Sequence, residues 1–196
     1  MKERPILFKG EMVRAILEGR KTQTRRVIKF LQGGSYPQYH IREIDASPQD
    51  DLILHVHNGE GSGFWEKCPY GKVGDRLWVR ETWANGDLDT DAPEIVYRAD
   101  EGENRHCGGK WKPSIFMPRW ASRITLEITD IRVERLQDIS EQEAELEGTP
   151  IEFCQDEVSN FTSYKHGFLK LWDSINGEES TDANPWVWVV EFMEGK

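Results

Sequence analysis

The residues of this sequence that are best suited to chemistry lie close together near its beginning, between positions 19 and 26. This stretch holds a lysine, Lys21, and a hydroxyl residue, Thr24, together with three arginines, Arg20, Arg25 and Arg26. A lysine, a hydroxyl and arginines at this spacing can bind an anion or polarise a carbonyl group. Lysine and arginine are also common on solvated edge strands, where their charge discourages pairing with another chain. The residue types therefore leave two interpretations, a site for an anion or carbonyl and a solvated edge.

The charge of the chain is distributed unevenly along its 196 residues. The formal net charge is −10, but the first 30 residues hold nine basic and three acidic groups, so this segment is +6 and the rest is −16. A net charge of −10 disfavours an extended surface for phosphate backbones, such as one that would hold duplex DNA. A small basic pocket around Lys21 and Arg26 is compatible with it and would suit a nucleoside or a short single strand.

The composition of the chain is that of a folded domain. Hydrophobic residues make up 37% of the sequence and aromatic residues 11%, which is enough to form a packed core. The length is typical of a single domain, here residues 1–196. No apolar run approaches the roughly 18 residues that would span a bilayer, and the first residues lack the apolar region of a signal peptide. We therefore expect a cytoplasmic protein with no membrane partner.

The cysteines and histidines offer one candidate metal site, without the spacing that is typical of structural zinc sites. The three cysteines, Cys68, Cys107 and Cys154, are an odd number at wide spacing, which predicts reduced thiols rather than disulfides. Cys68 with the neighbours His106 and Cys107 is the best candidate for a metal site, but the short Cys-x-x-Cys spacing of structural zinc sites is absent. The sequence also lacks a phosphate loop and a dinucleotide fingerprint. We expect neither a metal nor another cofactor.

The hydrophobic pattern predicts the elements that would position Lys21 and Thr24. Apolar residues at helical spacing over 12–17 are followed by Gly19, which predicts a short helix, and the β-branched residues of 22–28 then predict a strand. Ser140 and Glu143 match the capping-box pattern, so a second short helix is expected from there to Gly148. The pattern further predicts a helix over 161–175 and a closing strand over 186–192.

The clearest predicted strand covers residues 123–136. Apolar residues alternate with polar ones from Ile124 to Ile128, and the alternation resumes out of phase at Ile131, which predicts a β-bulge near Thr129. Several strands, few helices and no regular βαβ alternation favour an α+β fold with a curved antiparallel sheet or a small barrel.

The pattern Gly19-x-Lys21-x-x-Thr24-x-Arg26, placed just after a short N-terminal helix, resembles the signature of the ASCH superfamily. Other blocks that resemble the longer, phage- and prophage-associated members of this family are residues 74–83, 117–123, 144–148 and 186–192. The resemblance implies a PUA-like β-barrel with short peripheral helices, formed by one domain with insertions at about 31–70 and 84–112. It also implies a phage- or prophage-encoded protein in the cytoplasm of a bacterial host.

Thr24 refines the activity that the resemblance implies. Many ASCH sequences carry glutamate at this position, whereas threonine is similar to small ASCH amidohydrolases that act on N4-acetylcytidine through a lysine, a threonine and a glutamate. By this resemblance the catalytic residues are Lys21, Thr24 and Glu147. Thr24 would attack the acetyl carbonyl, Lys21 would activate it or steady the oxyanion, and Glu147 would manage the proton of the leaving amine. Glu143 and Glu145 lie close to Glu147 in the sequence, and a solvated acidic helix is the alternative interpretation for all three.

Two further interpretations involve no catalysis. PUA-like folds typically interact with RNA, and the same cleft could bind a modified nucleoside or a short single-stranded RNA without turnover. Trp120 lies between two arginines, so we expect it to be an exposed aromatic residue on which a base could stack. In the other interpretation the protein is a phage structural or assembly protein whose barrel is a scaffold. The candidate substrate- or RNA-binding residues are Arg20, Arg25, Arg26, Arg119, Trp120 and Arg123.

Overall fold

The chain has a mixed α+β fold in which strands predominate. The computed structural model describes residues 1–29, 40–45, 53–57, 63–86, 95–100, 110–155 and 160–195. The α-helices in these ranges are α1 (Gly10–Leu17), α2 (Glu141–Leu146) and α3 (Tyr164–Asn176). The strands are β1 (Glu3–Leu7), β2 (Gln23–Val27), β3 (His40–Asp45), β4 (Ile53–His57), β5 (Gly63–Lys67), β6 (Arg76–Arg80), β7 (Trp83–Asn85), β8 (Ile95–Tyr97), β9 (Thr125–Arg135), β10 (Glu152–Gln155), β11 (Asn160–Ser163) and β12 (Trp186–Glu194). None of the described helices is both long and apolar enough to cross a membrane.

Five strands form the central sheet, in the order β1-β6-β9-β12-β2. Three of the four pairings are antiparallel, as the sequence predicts, but β1 runs parallel to β6. The prediction of a wholly antiparallel sheet is therefore wrong at this pairing. Parallel neighbours need a long connection, and the chain between β1 and β6, which includes α1 and β2, provides it.

The central sheet does not close into a barrel within the described residues, because no backbone ladder joins its edge strands β1 and β2. The two edges nevertheless approach each other at one point. There, Nη2 of Arg26 in β2 donates a hydrogen bond to the carbonyl oxygen of Leu7 in β1 at 2.6 Å. A side chain thus spans the gap that a ladder would close in a barrel.

Strand β9 contains the bulge that its hydrophobic pattern predicts. Opposite β12, Asp130 pairs with Glu191 and Ile128 pairs with Phe192, so Thr129 is an extra residue between the two pairs. A bulge of this kind shifts the alternation of side chains by one position. The apolar residues on both sides of it therefore reach the same core.

Strand β12 is buried on both faces, which gives the central sheet two cores. Trp188 and Val190 face the core that α1 covers, together with residues of β1, β6 and β9. Val187 and Val189 face the opposite core, to which α3 contributes Phe168. Because side chains alternate along a strand, this pattern places α1 on one face of the sheet and α2 and α3 on the other.

The remaining strands form smaller sheets. Strands β3, β4 and β5 form a three-stranded antiparallel sheet, and β7 pairs with β8 as β10 pairs with β11. The three-stranded sheet and the β7–β8 pair lie in the regions that the sequence marks as insertions at about 31–70 and 84–112. Much of both regions, with His106 and Cys107, lies outside the described residues, while Cys68 is buried in the main core.

Candidate functional site

The segment that carries Lys21 is held between the ends of two helices. Gly19, with a φ of +72°, follows α1, and the backbone N–H groups of Arg20 and Lys21 donate to the carbonyl oxygen of Ala15 at 2.9 and 3.0 Å. On its other side Lys21 forms an isolated β-bridge with Glu147, the C-cap residue of α2. The backbone therefore brings Lys21 next to Glu147 independently of their side chains.

Gly148 permits this close approach. Its φ is +74°, and a Cβ atom at this position would lie 2.7 Å from the Cβ of Ala15 and 2.8 Å from the Cβ of Lys21. Bonded side chains do not approach so closely, and the left-handed backbone region is open chiefly to glycine. The absence of a side chain at Gly148 thus allows the end of α2 to lie close to α1 and to the segment before β2.

The ammonium group of Lys21 is buried and fully hydrogen-bonded. Its Nζ donates to Oε2 of Glu147 at 2.8 Å, to the carbonyl oxygen of Glu147 at 2.7 Å and to the carbonyl oxygen of Gln23 at 2.8 Å. Three acceptors match the three hydrogens of an ammonium group. Burial lowers the pKa of Lys21, and the negative charge of Glu147 opposes that shift only in part.

The carboxylate of Glu147 lies between two cations. Oε2 accepts from Lys21, while Oε1 faces Nη1 of Arg25 at 3.4 Å. The Glu147 side chain is 5% exposed, and the side chains of Lys21 and Arg25 are completely buried. A buried carboxylate with a cation at each oxygen is held in one orientation.

Arg25 connects this carboxylate to a network of charges on the outer part of the sheet. Its Nη2 donates to Oε2 of Glu134 at 2.8 Å and to Oε1 of Glu143 at 3.1 Å. Arg132 extends the network by pairing with the same two carboxylates. Because the Arg25 side chain has no exposed surface, it does not meet a phosphate in solution. Arg25 instead fixes Glu147 to the sheet.

Among the three glutamates that the sequence leaves open, Glu147 is the one that contacts Lys21. Glu145 is exposed to solvent. Burial would raise the pKa of Glu143, but hydrogen bonds from the backbone and hydroxyl of Ser140, together with nearby arginines, lower it to about 2. Glu143 is therefore the carboxylate of the predicted capping box, which leaves Glu147 as the carboxylate of the site.

A cavity of about 70 Å³ lies beside the ion pair. Thr24, Arg26 and Glu147 line its polar side, and the alternation of side chains along β2 explains why Thr24 and Arg26 share a face. Lys21 does not line the cavity. It contacts Glu147, which does, through the hydrogen bond from Nζ to Oε2. The rest of the lining is largely apolar and comes mainly from α3, with Met12, Arg25, Val27, Phe168, Leu171, Trp172, Ile175 and Asn176.

Arg26 and Lys21 lie over the same aromatic ring. The guanidinium carbon of Arg26 is 5.2 Å from the centre of the Phe8 ring, and the Nζ of Lys21 is 5.5 Å from it. Burial lowers the pKa of Arg26, and its buried Nε has no hydrogen-bond partner among the described residues. Arg26, which lines the cavity, thus carries one buried donor without an acceptor among the described residues.

The other predicted binding residues do not line this cavity. Arg20 is exposed near the end of α1, and Arg119 and Arg123 lie on the part of the protein that carries β1 and β6. Their carboxylate partners are Glu18 for Arg20, Glu3 for Arg119, and Glu81 and Asp100 for Arg123. Trp120 is 71% exposed, which confirms its predicted exposure.

Two parts of the site were not found from the sequence. Phe8 has the pattern of an ordinary core residue at the end of a strand, and nothing in its neighbours indicates that two cations lie over its ring. The residues of α3 that line the cavity, such as Trp172, have the same spacing as the apolar residues of any amphipathic helix. The one local signal for the contact between Lys21 and Glu147 is Gly148, a glycine just past a predicted helix.

Comparison of the chain with protein-family models, with curated proteins and with solved structures gives no match.

Proposed function

We propose that this protein is an amidohydrolase that removes a small acyl group from the exocyclic amine of a cytidine-type nucleoside such as N4-acetylcytidine. The observation that carries the proposal is the buried pair of Lys21 and Glu147, together with the small cavity that both Glu147 and Thr24 line. A PUA-like barrel of the ASCH type is the fold that we propose with it. In that fold, the contact between Arg26 and Leu7 takes the place of a closing ladder.

The first step is acyl transfer to Thr24. The carboxylate of Glu147, which Lys21 holds in place, takes the proton of the Thr24 hydroxyl as the threonine oxygen bonds to the acyl carbon. Glu147 then gives its proton to the leaving nitrogen as the carbon–nitrogen bond breaks. Cytidine leaves, and the pair is charged again.

The second step is hydrolysis of the Thr24 ester. Glu147 takes a proton from a water molecule as the water oxygen bonds to the acyl carbon. The carbon–oxygen bond to Thr24 then breaks, and the same proton goes to the Thr24 oxygen. The guanidinium of Arg26, with its unpaired Nε, is the cation that stabilises the oxyanion in both steps. Acetate is released with the remaining proton, and the site returns to its starting state.

The size and lining of the cavity determine which part of the substrate it can hold. Pockets for drug-sized ligands have roughly 300–1,000 Å³, so a space of about 70 Å³ holds an acyl group and not a whole nucleoside. Its apolar wall from α3 suits a short hydrocarbon chain. In this proposal the acyl group enters the cavity, while the base and ribose stay at its mouth near Arg26.

One observation favours a second, non-catalytic candidate. Every hydrogen of the Lys21 ammonium already has a protein acceptor, which is the pattern of an ion pair that fixes one conformation. In that case the cleft binds a modified base without changing it. Turnover separates the two candidates, because a binding module holds N4-acetylcytidine and releases it unchanged.

The experiment is a parallel measurement of binding and turnover with N4-acetylcytidine. We expect the purified protein to release acetate and cytidine in equal amounts. N4-acyl analogues with a bulky aromatic acyl group should be turned over much more slowly than the acetyl compound, since they exceed the cavity. Saturable binding without release of acetate would establish the binding module, and the absence of both would overturn both candidates.

A further inference from the structure

A cleft of about 440 Å³ opens at the start of helix α1. It shares no lining residue with the cavity beside Glu147, whose volume is about 70 Å³. Pockets of roughly 300–1,000 Å³ hold whole small molecules, so the size of this cleft is that of a ligand site. The proposed hydrolysis makes no use of it.

The cleft lies where two parallel strands of the central sheet end. Strands β1 and β6 pair in parallel as far as Leu7 and Arg80, and the backbone N–H of Phe8 then donates to the carbonyl oxygen of Arg80 at 3.1 Å. The chain continues from β1 through Lys9 into α1, and from β6 into Thr82, and both segments line the cleft. In open parallel sheets, the crevice outside the carboxyl ends of the strands is where ligands bind.

Hydrogen bonds and close packing hold the walls of the cleft together. The backbone N–H of Arg98 donates to the carbonyl oxygen of Thr82 at 3.0 Å. Across the cleft, Nη1 of Arg14 donates to the carbonyl oxygen of Ala99 at 3.1 Å. A Cβ atom on Gly10 would lie 3.7 Å from the Cα of Ala99, which is an ordinary contact distance. Helix α1 and the ends of β6 and β8 are thus fixed to one another, which preorganises the cleft.

The charged side chains of the cleft are mostly cations. Lys9, Arg14 and Arg98 line it with one acidic residue, Glu11, so three positive charges and one negative give the lining a formal charge of +2. The three cations are exposed to solvent, and none of them forms an ion pair within the part of the chain that the structure describes. The start of α1 adds the partial positive charge of a helix N-terminus. In a chain with a net charge of −10, this cleft therefore attracts anions.

The donors of the cleft suit a phosphate group. An arginine guanidinium presents its N–H groups in a planar fork that fits two phosphate oxygens, and Lys9 adds a compact charge. The bond from Arg14 to Ala99 uses one N–H group and holds the guanidinium in place. The hydroxyl of Thr82 is a further donor. A phosphate monoester carries a charge of about −1.5 to −2 at pH 7, which matches the charge of the lining.

The rest of the lining suits a sugar better than a nucleobase. Among the residues that the structure describes, no aromatic residue lines the cleft, so it offers no ring on which a base would stack. The carboxylate of Glu11 accepts hydrogen bonds from hydroxyl groups. It also repels a second anionic group, which favours a ligand with one phosphate and an uncharged remainder rich in hydroxyls.

We propose that this cleft binds a small sugar phosphate, with the phosphate group held by Lys9, Arg14 and Arg98. The carboxylate of Glu11 accepts from hydroxyl groups of the sugar. The charge of +2, the two arginines and the volume of about 440 Å³ together define this class of ligand. The binding function goes beyond the proposed hydrolysis and does not depend on it.

The test is isothermal titration calorimetry of the full chain with glucose 6-phosphate as the probe. We expect saturable binding that weakens as the salt concentration rises, because the contacts are ionic and solvent-exposed. Glucose lacks the phosphate and should bind at least tenfold more weakly. Glucose 6-sulfate keeps the shape of the probe with a single negative charge, and its affinity should lie between those of glucose and glucose 6-phosphate.

Variants of the basic residues identify the site. Arg98→Gln should weaken the binding of glucose 6-phosphate about tenfold or more, because it removes hydrogen bonds to a charged group. Arg20→Gln, at an exposed arginine outside the cleft, is the matched control and should not change the affinity. Lys9→Gln should also weaken binding, whereas Lys29→Gln, at an exposed lysine elsewhere, should not.

Glu11→Gln tests the part of the ligand beyond the phosphate. The substitution removes a negative charge, so it should tighten the binding of inorganic phosphate. It also weakens the acceptor for the sugar hydroxyls, because a neutral amide is a poorer acceptor than a carboxylate. The preference for glucose 6-phosphate over inorganic phosphate should therefore fall. Equal tightening of both ligands would contradict the contact between Glu11 and the sugar.

Four further results would overturn the proposal. These are no binding of glucose 6-phosphate, equal affinities for inorganic phosphate and glucose 6-phosphate, equal affinities of the Arg98→Gln variant and the wild type, and tighter binding of the dicarboxylate succinate than of the sugar phosphate. The hydrolase proposal fails separately. Arg98→Gln should release acetate from N4-acetylcytidine at the wild-type rate, and Thr24→Ala should bind glucose 6-phosphate as the wild type does.

Discussion

Lys21 and Glu147 illustrate how one buried ion pair can serve either stability or chemistry. Their charges are removed from water, and each hydrogen of the ammonium has an acceptor. Such a pair resists the loss of one partner, because the remaining charge is left buried. The same desolvation brings the pKa of Lys21 down towards the range in which its amine can accept a proton.

At the residue scale we predict a strong dependence of folding on the complete pair. Lys21→Met should lower the free energy of unfolding by about 3–5 kcal/mol, because Glu147 keeps a buried charge with only Arg25 beside it. Adding Glu147→Gln to Lys21→Met should recover part of this loss. The measurement is urea denaturation of the two variants and the wild type.

An exposed pair provides the control for this prediction. Arg20→Met removes a cation from the surface pair with Glu18 and should change the free energy of unfolding by less than about 1 kcal/mol. Equal effects of Arg20→Met and Lys21→Met would contradict the buried position of Lys21.

At the element scale, the end of α2 sets the geometry of the site through Gly148. Gly148→Ala should destabilise the protein by about 2 kcal/mol or more, because it adds a close contact with Ala15 and Lys21 to the strain of a positive φ. Gly19→Ala is a matched control, since Gly19 has nearly the same φ and no atom within 4 Å of the added Cβ. It should cost only about 1–2 kcal/mol, which is the strain alone. Denaturation midpoints that are equal for the two variants would contradict the close approach at Gly148.

The start of α2 gives a prediction about pH. Ser140 and the arginines around Glu143 lower its pKa from the ordinary 4.5 to about 2, so the ionised form stabilises the folded state above about pH 4.5. This contribution, about 2–3 kcal/mol, should disappear as the pH falls from 4.5 to 2. Glu143→Gln should remove it at neutral pH and flatten the acid limb of a stability–pH curve, whereas Glu145→Gln should leave the curve as it is.

Local patterns predict where the helices, turns and bulges of this fold lie much better than they predict which elements pair or pack with one another. The capping box at Ser140, the glycine that ends α1 and the bulge at Thr129 are visible because each depends on residues next to one another in the chain. The parallel pairing of β1 with β6 is not visible, since the period of a strand does not reveal which strand lies beside it. The choice of Glu147 over Glu143 likewise depends on how the chain around Lys21 packs against α2.

At the scale of the whole molecule, the positive charge near the N-terminus is divided between the surface and a buried network of ion pairs. Of the nine basic residues among the first 30, five are exposed, whereas Lys21 and Arg25 are buried and are held by Glu147, Glu134 and Glu143. A chain with a net charge of −10 thus keeps two of its N-terminal cations in its interior, at the site where we propose that a small acyl group reacts.

The central claim is that Thr24 is the nucleophile of an acyl transfer, and the rate of acetate release from N4-acetylcytidine tests it most directly. Thr24→Ala should reduce kcat/KM by about a thousandfold or more, as the loss of a nucleophile does in other hydrolases. Thr24→Ser keeps a hydroxyl and should retain measurable activity. Thr22→Ala, two residues away in the same segment, is the matched control and should keep the wild-type rate. Acetate release by Thr24→Ala at the wild-type rate would contradict the account.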